Sequence, residues 1–318
     1  MGKQLISIVI PAYNEQDNID ELGRRLGQVF DAESGYDWEA ILVENGSEDA
    51  TFEKAMALNA RDARFKVLQL SRNFRMDGGL TAGLNYATGD AAVVMAGDLQ
   101  DEPEVIPSFL RKWEEGYEIV YQVVTERQGT GPIRRMNSQL FYYAANKLTG
   151  GRIPRNVSDF RLVDRKAYET VNTMEERNRF VRGLFAWVGF RNAGVEAPRA
   201  PREAGVSGAH TLKVLDLAMK GIFAHSYVPL KFIFAFGLIM SGLSFLALIA
   251  MLIGFVIFGV PFAGFGTIIS VIVLMFGILF TMLGVVAEYV GLVYEEVKQR
   301  PNFVVREGYG FDEGGDAD

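Results

Sequence analysis

The sequence contains no cysteine among its 318 residues. Disulfide bonds, thiolate metal sites and cysteine nucleophiles are therefore excluded, which is consistent with a cytoplasmic enzyme. Charge is also missing from one long region, because residues 232–287 include no Asp, Glu, Lys, Arg or His. The residues before position 220 have the mixed composition of a soluble protein. These contrasts predict a soluble body joined to a membrane segment.

The uncharged region is long enough for two membrane spans. Residues 232–259 would form a helix of about 42 Å at 1.5 Å per residue, against a hydrocarbon core of about 30 Å. Val260 and Pro261 interrupt the run, and residues 262–287 would form the second span. Basic residues flank the predicted hairpin and predict that both of its ends face the cytoplasm at the plasma membrane. They are Lys220, Lys231, Lys298 and Arg300.

Four segments are predicted along the chain. Residues 1–210 form a cytoplasmic catalytic domain, and residues 229–294 contain the membrane hairpin. Between them, apolar residues at helical spacing predict an amphipathic helix over residues 211–228 that lies in the membrane interface, with a core helix as the alternative. Residues 295–318 form a cytoplasmic tail, which is rich in acidic residues and glycine from Asn302 onward and is expected to be disordered there.

The soluble part alternates short apolar runs with helical patterns. Residues 5–10, 38–43, 65–70 and 91–96 are predicted strands, and a helical pattern follows each. This alternation predicts an α/β fold, a mostly parallel sheet with helices on both faces. Because the carboxyl ends of parallel strands share one edge, the acidic residues after three strands are expected in one site. These residues are Glu15, Glu44 and Asp98.

The loop after the fourth strand carries three oxygen-bearing side chains. Asp98, Gln100 and Asp101 follow the strand directly, and Pro103 opens the next helix. Such hard oxygen ligands suit Mg²⁺ or Mn²⁺ carrying a phosphate. An ordinary polar loop with an acidic helix cap is the alternative.

Charge is distributed unevenly. The net charge of −7 argues against nucleic-acid binding, yet residues 127–203 hold 13 Arg and 2 Lys against 7 acidic residues. This local surplus predicts an anionic ligand, because guanidinium groups bind phosphate oxygens in pairs. A solvated arginine-rich surface is the alternative.

Several motifs occur in a fixed order along the chain. They are residues 7–15 (SIVIPAYNE), 43–47 (VENGS), 70–74 (LSRNF), 97–101 (GDLQD), 158–165 (SDFRLVDR), 179–184 (RFVRGL) and 187–190 (WVGF). The ordered set resembles the inverting family 2 glycosyltransferases with the GT-A (Rossmann-like) fold. More narrowly, with the membrane hairpin, it is similar to the polyprenyl-phosphate and dolichyl-phosphate glycosyltransferases.

The resemblance implies a role for each matching residue. The nucleotide site would comprise Pro11, Ala12, Tyr13, Glu15, Glu44, Gly97, Asp98 and Arg202. Asp98 and Gln100 would hold Mg²⁺ or Mn²⁺, and Asp98 and Asp159 would be the catalytic carboxylates. The acceptor phosphate would contact Arg127, Arg134, Arg135, Arg161 and Arg182. Two alternatives stay open. Tyr13 would be an aromatic residue of the loop that binds no ligand, and Asp159 would be a structural partner of Arg161.

The chain also departs from the pattern that it resembles. Ala96 stands at the first position of the Asp-x-Asp motif, and Glu44-Asn45 replaces an acidic pair. Arg75-Met76 replaces a Gly-Lys pair, and Gly208 stands where a lysine is expected. A catalytically weakened relative that binds a lipid or a partner protein is therefore the alternative to an active enzyme.

The resemblance implies a membrane-anchored hexosyltransferase. It would move a hexose, from UDP-glucose or a similar nucleotide sugar, to undecaprenyl or another polyprenyl phosphate with inversion. Its partners would be the two substrates, the lipid bilayer and further copies of itself in a tetramer, with no nucleic acid. A processive polysaccharide synthase would carry a Gln-x-x-Arg-Trp motif and more spans, and the sequence contains neither.

Overall fold

The computed structural model describes residues 2–127, 157–199 apart from 178, and 264–311, with scattered positions between 233 and 259. The chain divides into two compact units. The first unit comprises Met1–Ala209 together with Arg300–Asp318, and the second comprises His210–Gln299. Both ends of the chain therefore belong to the first unit.

Within the described residues, the first unit is built on one mixed sheet of eight strands. In chain order they are β1 (Leu5–Ala12), β2 (Asp37–Glu44), β3 (Phe65–Leu70), β4 (Ala91–Val94), β5 (Ile119–Arg127), β6 (Val157–Asp164), β7 (Asn192–Arg199) and β8 (Val305–Tyr309). The order across the sheet is β7-β5-β6-β4-β1-β2-β3-β8. The four strands that the sequence predicts are confirmed, with ends that differ by up to two residues.

Strand direction decides which loops meet. β1 pairs in parallel with β2 and β4, and β2 pairs in parallel with β3. β6 runs antiparallel to both β4 and β5, and β7 is parallel to β5. The carboxyl ends of β1 to β5 and of β7 therefore lie at one edge, together with the amino end of β6.

Helices cover both faces of the sheet, as the sequence predicts. They are α1 (Ile19–Ala32), α2 (Thr51–Arg61), α3 (Arg75–Tyr86), α4 (Ile106–Glu114), α5 (Arg165–Asn172) and α6 (Val181–Trp187). Successive residues of a strand point to opposite faces. Accordingly Ile8 and Ile10 of β1 pack in one apolar cluster with Leu22 of α1, whereas Val9 packs in a second cluster with Leu80 of α3.

The C-terminal residues correct the expectation of disorder. β8 pairs antiparallel with β3, with Val67 opposite Tyr309, and the Ser71 amide donates to the Val304 carbonyl at 2.9 Å. Apolar side chains recur here with the period of a strand, and they outweigh the acidic, glycine-rich composition. They are Phe303, Val305, Tyr309 and Phe311.

The second unit contains a long helix, α7 (Phe265–Val297). Among the described residues, its portion Leu274–Val297 is the one stretch long and apolar enough to cross a membrane. The predicted span 262–287 falls largely within α7. The scattered described positions between 233 and 258 are all helical. The predicted amphipathic helix at 211–228 and most of the predicted span 232–259 lie outside the described residues.

Candidate functional site

The carboxyl edge of the sheet carries an unusual set of backbone conformations. Positive φ angles occur at one residue near the end of each of the first four strands. They are Asn14 (54°), Gly46 (70°), Arg75 (63°) and Leu99 (56°). Left-handed conformations are uncommon for residues other than glycine, and they concentrate at functional sites. The backbone therefore marks this edge as the candidate ligand site.

The loops after β1 and β2 are tied together. The Asn14 amide donates to Ser47 Oγ at 3.1 Å, and the Glu48 amide donates to Asn14 Oδ1 at 2.9 Å. The Glu15 amide donates to Thr51 Oγ1 at 2.9 Å. Directly before these anchored residues, Tyr13 is 40% exposed. Its ring is accessible to a planar ligand.

Glu44 ends β2 within this network. Its side chain is buried and accepts a hydrogen bond from the Ser47 amide at 2.5 Å. The intervening Gly46 is required by packing as well as by its positive φ, since a Cβ there would lie 2.5 Å from the Arg72 carbonyl carbon. The turn after β2 is therefore held in a single shape against the loop after β3.

Asn45 explains one departure from the family pattern. Its Nδ2 donates to the Arg75 carbonyl and its Oδ1 accepts from the Phe74 amide, both at 2.9 Å. A carboxylate could accept the second bond but could not donate the first. The carboxamide at position 45 thus joins the loop after β2 to the start of α3.

The loop after β4 reaches the loop after β1. A Cβ at Gly97 would lie 3.4 Å from the Pro11 carbonyl oxygen and 3.6 Å from the Ala12 Cβ. The predicted nucleotide residues Pro11, Ala12 and Gly97 are therefore adjacent. Because both loops also border Tyr13 and Asp98, one bound molecule could contact residues from each.

Asp98 and Gln100 carry the kind of oxygen atoms that a divalent cation binds. The Asp98 side chain is almost fully buried, and its Oδ1 accepts a 3.3 Å hydrogen bond from the Gln100 amide. Within the described part of the chain, no group of three or more His, Cys, Asp or Glu residues could hold a metal. Two oxygen ligands are nevertheless enough for Mg²⁺ or Mn²⁺ when phosphate oxygens supply others.

Asp101 turns inward. Its carboxylate is fully buried, and Oδ2 accepts a hydrogen bond from the Ala96 amide at 3.2 Å. Burial is the main reason that the pKa of Asp101 rises to about 6; Arg199 and the Ala96 amide oppose this rise, and Asp98 adds to it. The Asp101 carboxylate therefore points into the protein interior. It is not placed as a metal ligand, although its position in the polar loop suggested that role.

The register of β6 brings Asp159 to the same edge. Arg161 lies opposite Val94 at the end of β4, so Asp159 reaches the level of the following loop. The Asp159 carboxylate accepts two hydrogen bonds from Arg182, from Nε at 2.7 Å and from a terminal nitrogen at 2.6 Å. Burial alone would raise the pKa of Asp159, but Arg182 and then Arg161 outweigh it and hold the pKa below its usual value.

Arg161 is occupied by the fold itself. Its guanidinium donates to the carbonyls of Asp159 at 3.1 Å and Ser158 at 3.2 Å, and it lies 5.5 Å from the centre of the Phe185 ring. Burial, assisted by Arg182, lowers the pKa of Arg161 to about 10. Arg182, by contrast, keeps 22% of its side chain exposed.

Asp77 is a site residue that the sequence analysis missed. It lies in the first turn of α3, and its Oδ1 accepts a 2.9 Å hydrogen bond from the Val181 amide at the start of α6. Burial raises the pKa of Asp77, as does Asp159, while Arg182 lowers it. Its partner lies 104 residues away along the chain, so no local pattern could reveal the contact.

The remaining predicted arginines are only partly described. The Arg127 backbone ends β5 opposite Arg199 of β7, which brings it to the carboxyl edge. The Arg127 side chain lies outside the described residues. So do Arg134, Arg135 and Arg202, and they remain predictions.

Comparison with known proteins identifies the family. Residues 7–171 match the model of glycosyl transferase family 2. The uncharacterized glycosyltransferase YkcC of Bacillus subtilis is 39% identical over 96% of this chain and 94% of its own length. The bactoprenol glucosyl transferase of Shigella phage SfII is 35% identical over 96% of this chain and 98% of its own length.

Among solved structures, glucosyl-3-phosphoglycerate synthase from Mycobacterium tuberculosis was determined with Mn²⁺, UDP and glucosyl-3-phosphoglycerate. It matches with a TM-score of 0.48 and 19% identity over 69% of this chain and 78% of that chain. The family model covers more than half of the sequence, and relatives above 30% identity cover nearly all of it. The chain is therefore a glycosyltransferase that belongs to family 2.

Proposed function

We propose that this chain transfers a hexose from a nucleotide sugar to polyprenyl phosphate at a membrane. Glucose carried by UDP is the first donor to test. Bactoprenol glucosyl transferases align with almost the whole chain, including its uncharged region, which supports a lipid phosphate as acceptor.

One observation carries the proposal. The loop with Asp98 and Gln100 and the ion pair of Asp159 with Arg182 occupy the same edge of the sheet, because β6 runs antiparallel beside β4. Had the two groups lain at opposite edges, a diphosphate and an acceptor phosphate could not meet. Their common edge supports a donor side on the β1, β2 and β4 loops and an acceptor side on β6 and α6.

The chemistry needs positioning more than it needs a base. A phosphate monoester is ionised at neutral pH, so its oxygen can attack without losing a proton to the enzyme. That oxygen would form a bond to the anomeric carbon while the bond from this carbon to the diphosphate oxygen breaks. Attack opposite the leaving group inverts the configuration and releases the nucleoside diphosphate.

A divalent cation held by Asp98 and Gln100 would stabilise the negative charge on the departing diphosphate as a Lewis acid. Tyr13 would stack on the base, next to Ala12 and Glu15 in the anchored loop. Buried Glu44 would support that loop indirectly, because it accepts from the Ser47 amide and Ser47 Oγ accepts from the Asn14 amide. These residues thus orient the donor, while its reacting carbon faces the acceptor side.

Asp159 would act through Arg182. Its pKa lies below the usual value and both of its oxygens bind the Arg182 guanidinium, so it is a poor proton acceptor at neutral pH. Its fitting role is to fix the fork of Arg182 toward a phosphate. Asp77, through the Val181 amide, would hold the start of α6, which carries Arg182.

Chain connectivity supports an even number of membrane crossings. The second unit leaves the first after β7 and returns to it before β8, and both strands belong to the same sheet. If α7 crosses the bilayer, another crossing has to precede it. The uncharged residues 232–259 are the segment suited to that crossing.

The function can be tested with the full-length protein in nanodiscs. Undecaprenyl phosphate and a panel of labelled nucleotide sugars would be supplied with Mn²⁺, and the labelled lipid product would be measured. We expect product with UDP-glucose or another UDP-hexose, loss of product with EDTA and its return with added Mn²⁺. Absence of turnover with every donor, with lipid binding retained, would support the inactive relative instead.

The crossing number can be tested with single cysteines, because the chain has none of its own. Gly264→Cys, before α7, and Gly2→Cys, near β1, would be labelled in intact cells with a reagent that does not cross the membrane. We expect labelling of position 264 and protection of position 2. Labelling of neither position, or of both, would contradict a hairpin.

A further inference from the structure

Asp101 and Arg199 form an ion pair that the proposed mechanism does not use. Asp101 Oδ1 lies 3.4 Å from Arg199 Nε, and the Asp101 side chain is fully buried. Both atoms are buried, and within the part of the chain that the structure describes neither has a hydrogen-bond partner. Burying a charged pair with incomplete hydrogen bonding adds little stability compared with an apolar pair of the same volume.

The pair joins two regions that the sheet itself keeps apart. Asp101 ends the loop after β4, and Arg199 ends β7, while β6 and β5 lie between these two strands. At the other end of the same loop, Asp101 Oδ2 accepts the hydrogen bond from the Ala96 amide. Asp101 therefore clamps residues 96–101 from inside and attaches them to the end of β7.

The clamped loop includes the two candidate metal ligands. Asp98 and Gln100 lie on either side of Leu99, which is buried and has a φ of 56°. A left-handed leucine needs surrounding contacts to hold it, and a fixed loop fixes the spacing of its neighbours. Ligands that are oriented by a second layer of residues bind metals more tightly.

We propose that Asp101 and Arg199 are positioning residues that set the metal loop for the donor. This inference rests on the proposed function, since it assumes a diphosphate and a cation at Asp98 and Gln100. No contact between this pair and the substrate is required.

Binding of Mn²⁺ with UDP, measured by Mn²⁺ electron paramagnetic resonance on the full-length protein, tests the inference without turnover. We expect Asp101→Asn and Arg199→Gln each to weaken this binding by about 10-fold or more, as removal of second-layer partners does. Both variants would raise the KM for the donor and leave the KM for polyprenyl phosphate within about twofold of wild type.

The double variant Asp101→Asn with Arg199→Gln separates positioning from stability. Removing both charges should return the unfolding midpoint to the wild-type value or above, because no lone buried charge remains. We expect binding of Mn²⁺ with UDP to stay weak in the double variant. The inference would be overturned if the double variant recovered both its unfolding midpoint and its binding of Mn²⁺ with UDP. It would also be overturned if the single variants lowered the midpoint and left that binding unchanged.

Lys66→Met provides a matched control. Lys66 pairs with buried Glu39 at the opposite edge of the sheet, with Nζ 2.7 Å from Oε2. This variant should lower the unfolding midpoint and leave binding of Mn²⁺ with UDP unchanged.

If a neutral variant fails to fold, Arg199→Lys keeps the charge and loses the Nε geometry, and it should show the weakened binding alone. Wild-type binding without sugar transfer to lipid would reject the proposed function and leave this test valid.

Discussion

The two edges of the sheet each bury a carboxylate, but they surround it differently. At the amino edge, Glu39 accepts hydrogen bonds from Ser7 Oγ at 2.5 Å, Lys66 Nζ at 2.7 Å and the Thr88 amide at 2.8 Å. At the carboxyl edge, Asp101 accepts one hydrogen bond from an amide, and its other oxygen faces Arg199 without accepting a hydrogen bond from any described residue. One carboxylate is therefore fully bonded and the other is not.

The difference extends to the backbone. Left-handed residues follow β1, β2, β3 and β4 at the carboxyl edge, and three of the four are not glycine. Incomplete hydrogen bonding and unfavourable φ angles both reduce stability, and proteins retain them mainly where function needs a fixed geometry. We therefore expect the amino edge to contribute stability and the carboxyl edge to bind the ligand.

Asp98→Asn should have the largest effect on activity. Removing the carboxylate weakens the hold on the cation, so we expect kcat/KM to fall by about 100-fold or more, as when a main electrostatic group is lost. The measurement is lipid product formed at saturating Mn²⁺. Asp37→Asn, an exposed aspartate at the amino edge, is the control and should retain activity. Equal losses in the two variants would break the comparison.

Asn45→Asp should reduce stability at the carboxyl edge. The new carboxylate loses the donated hydrogen bond and faces the Arg75 carbonyl, which should cost about 1–3 kcal/mol. For a unit of this size, each kcal/mol of lost stability lowers the unfolding midpoint by about 2–4 °C. Trp38, Trp113 and Trp187 all lie in the first unit, so tryptophan fluorescence reports on it within the full chain. A midpoint equal to that of wild type would exclude the bridging role of Asn45.

Tyr13→Ala should act on the donor alone. Aromatic stacking on a base contributes about 1–3 kcal/mol, which corresponds to about 10-fold in the donor KM. The KM for polyprenyl phosphate should not change. Tyr13→Phe, which keeps the ring, should behave as wild type. An unchanged donor KM in Tyr13→Ala would leave Tyr13 as a loop aromatic.

Glu39→Gln should change the pH dependence of stability modestly. Burial would raise the pKa of Glu39, but hydrogen bonds from Lys66, Ser7 and Thr88 outweigh it and lower the pKa. The ionised form therefore stabilises the fold above the ordinary value of 4.5, and this contribution disappears as the pH falls through the lowered pKa. The difference in midpoint between wild type and variant should be largest at pH 7 and shrink below 4.5. A difference that grows with acid would reverse the assignment.

Local patterns in the sequence predicted the parallel half of the sheet well. The predicted runs 5–10 and 65–70 are mainly apolar and are followed by Pro11 and Ser71, so their strands and the shared edge follow from composition and spacing. The antiparallel half depended on contacts far apart in sequence. The pairing of Val94 with Arg161 and the contact of Asp77 with Val181 could not be read from neighbouring residues. The acidic, glycine-rich composition also wrongly predicted disorder from Asn302 onward, where β8 forms instead.

Site chemistry followed the same division. Asp98 and Gln100 could be proposed as oxygen ligands because they lie two residues apart in one loop, and that assignment stays a prediction. The main partner of Asp159 could not be predicted, because Arg182 comes from helix α6, far along the chain from β6, and it lies closer to Asp159 than the expected Arg161 does. Buried Asp101 looked like a ligand, since sequence does not reveal which way a side chain turns.

The central claim is that donor and acceptor bind on neighbouring sides of one edge, with Arg182 on the acceptor side. Arg182→Lys tests it most directly, because the lysine keeps the charge and loses the guanidinium fork. We predict a KM for polyprenyl phosphate raised by about 10-fold and a KM for the nucleotide sugar within about twofold of wild type. A raised donor KM with an unchanged lipid KM would contradict the account.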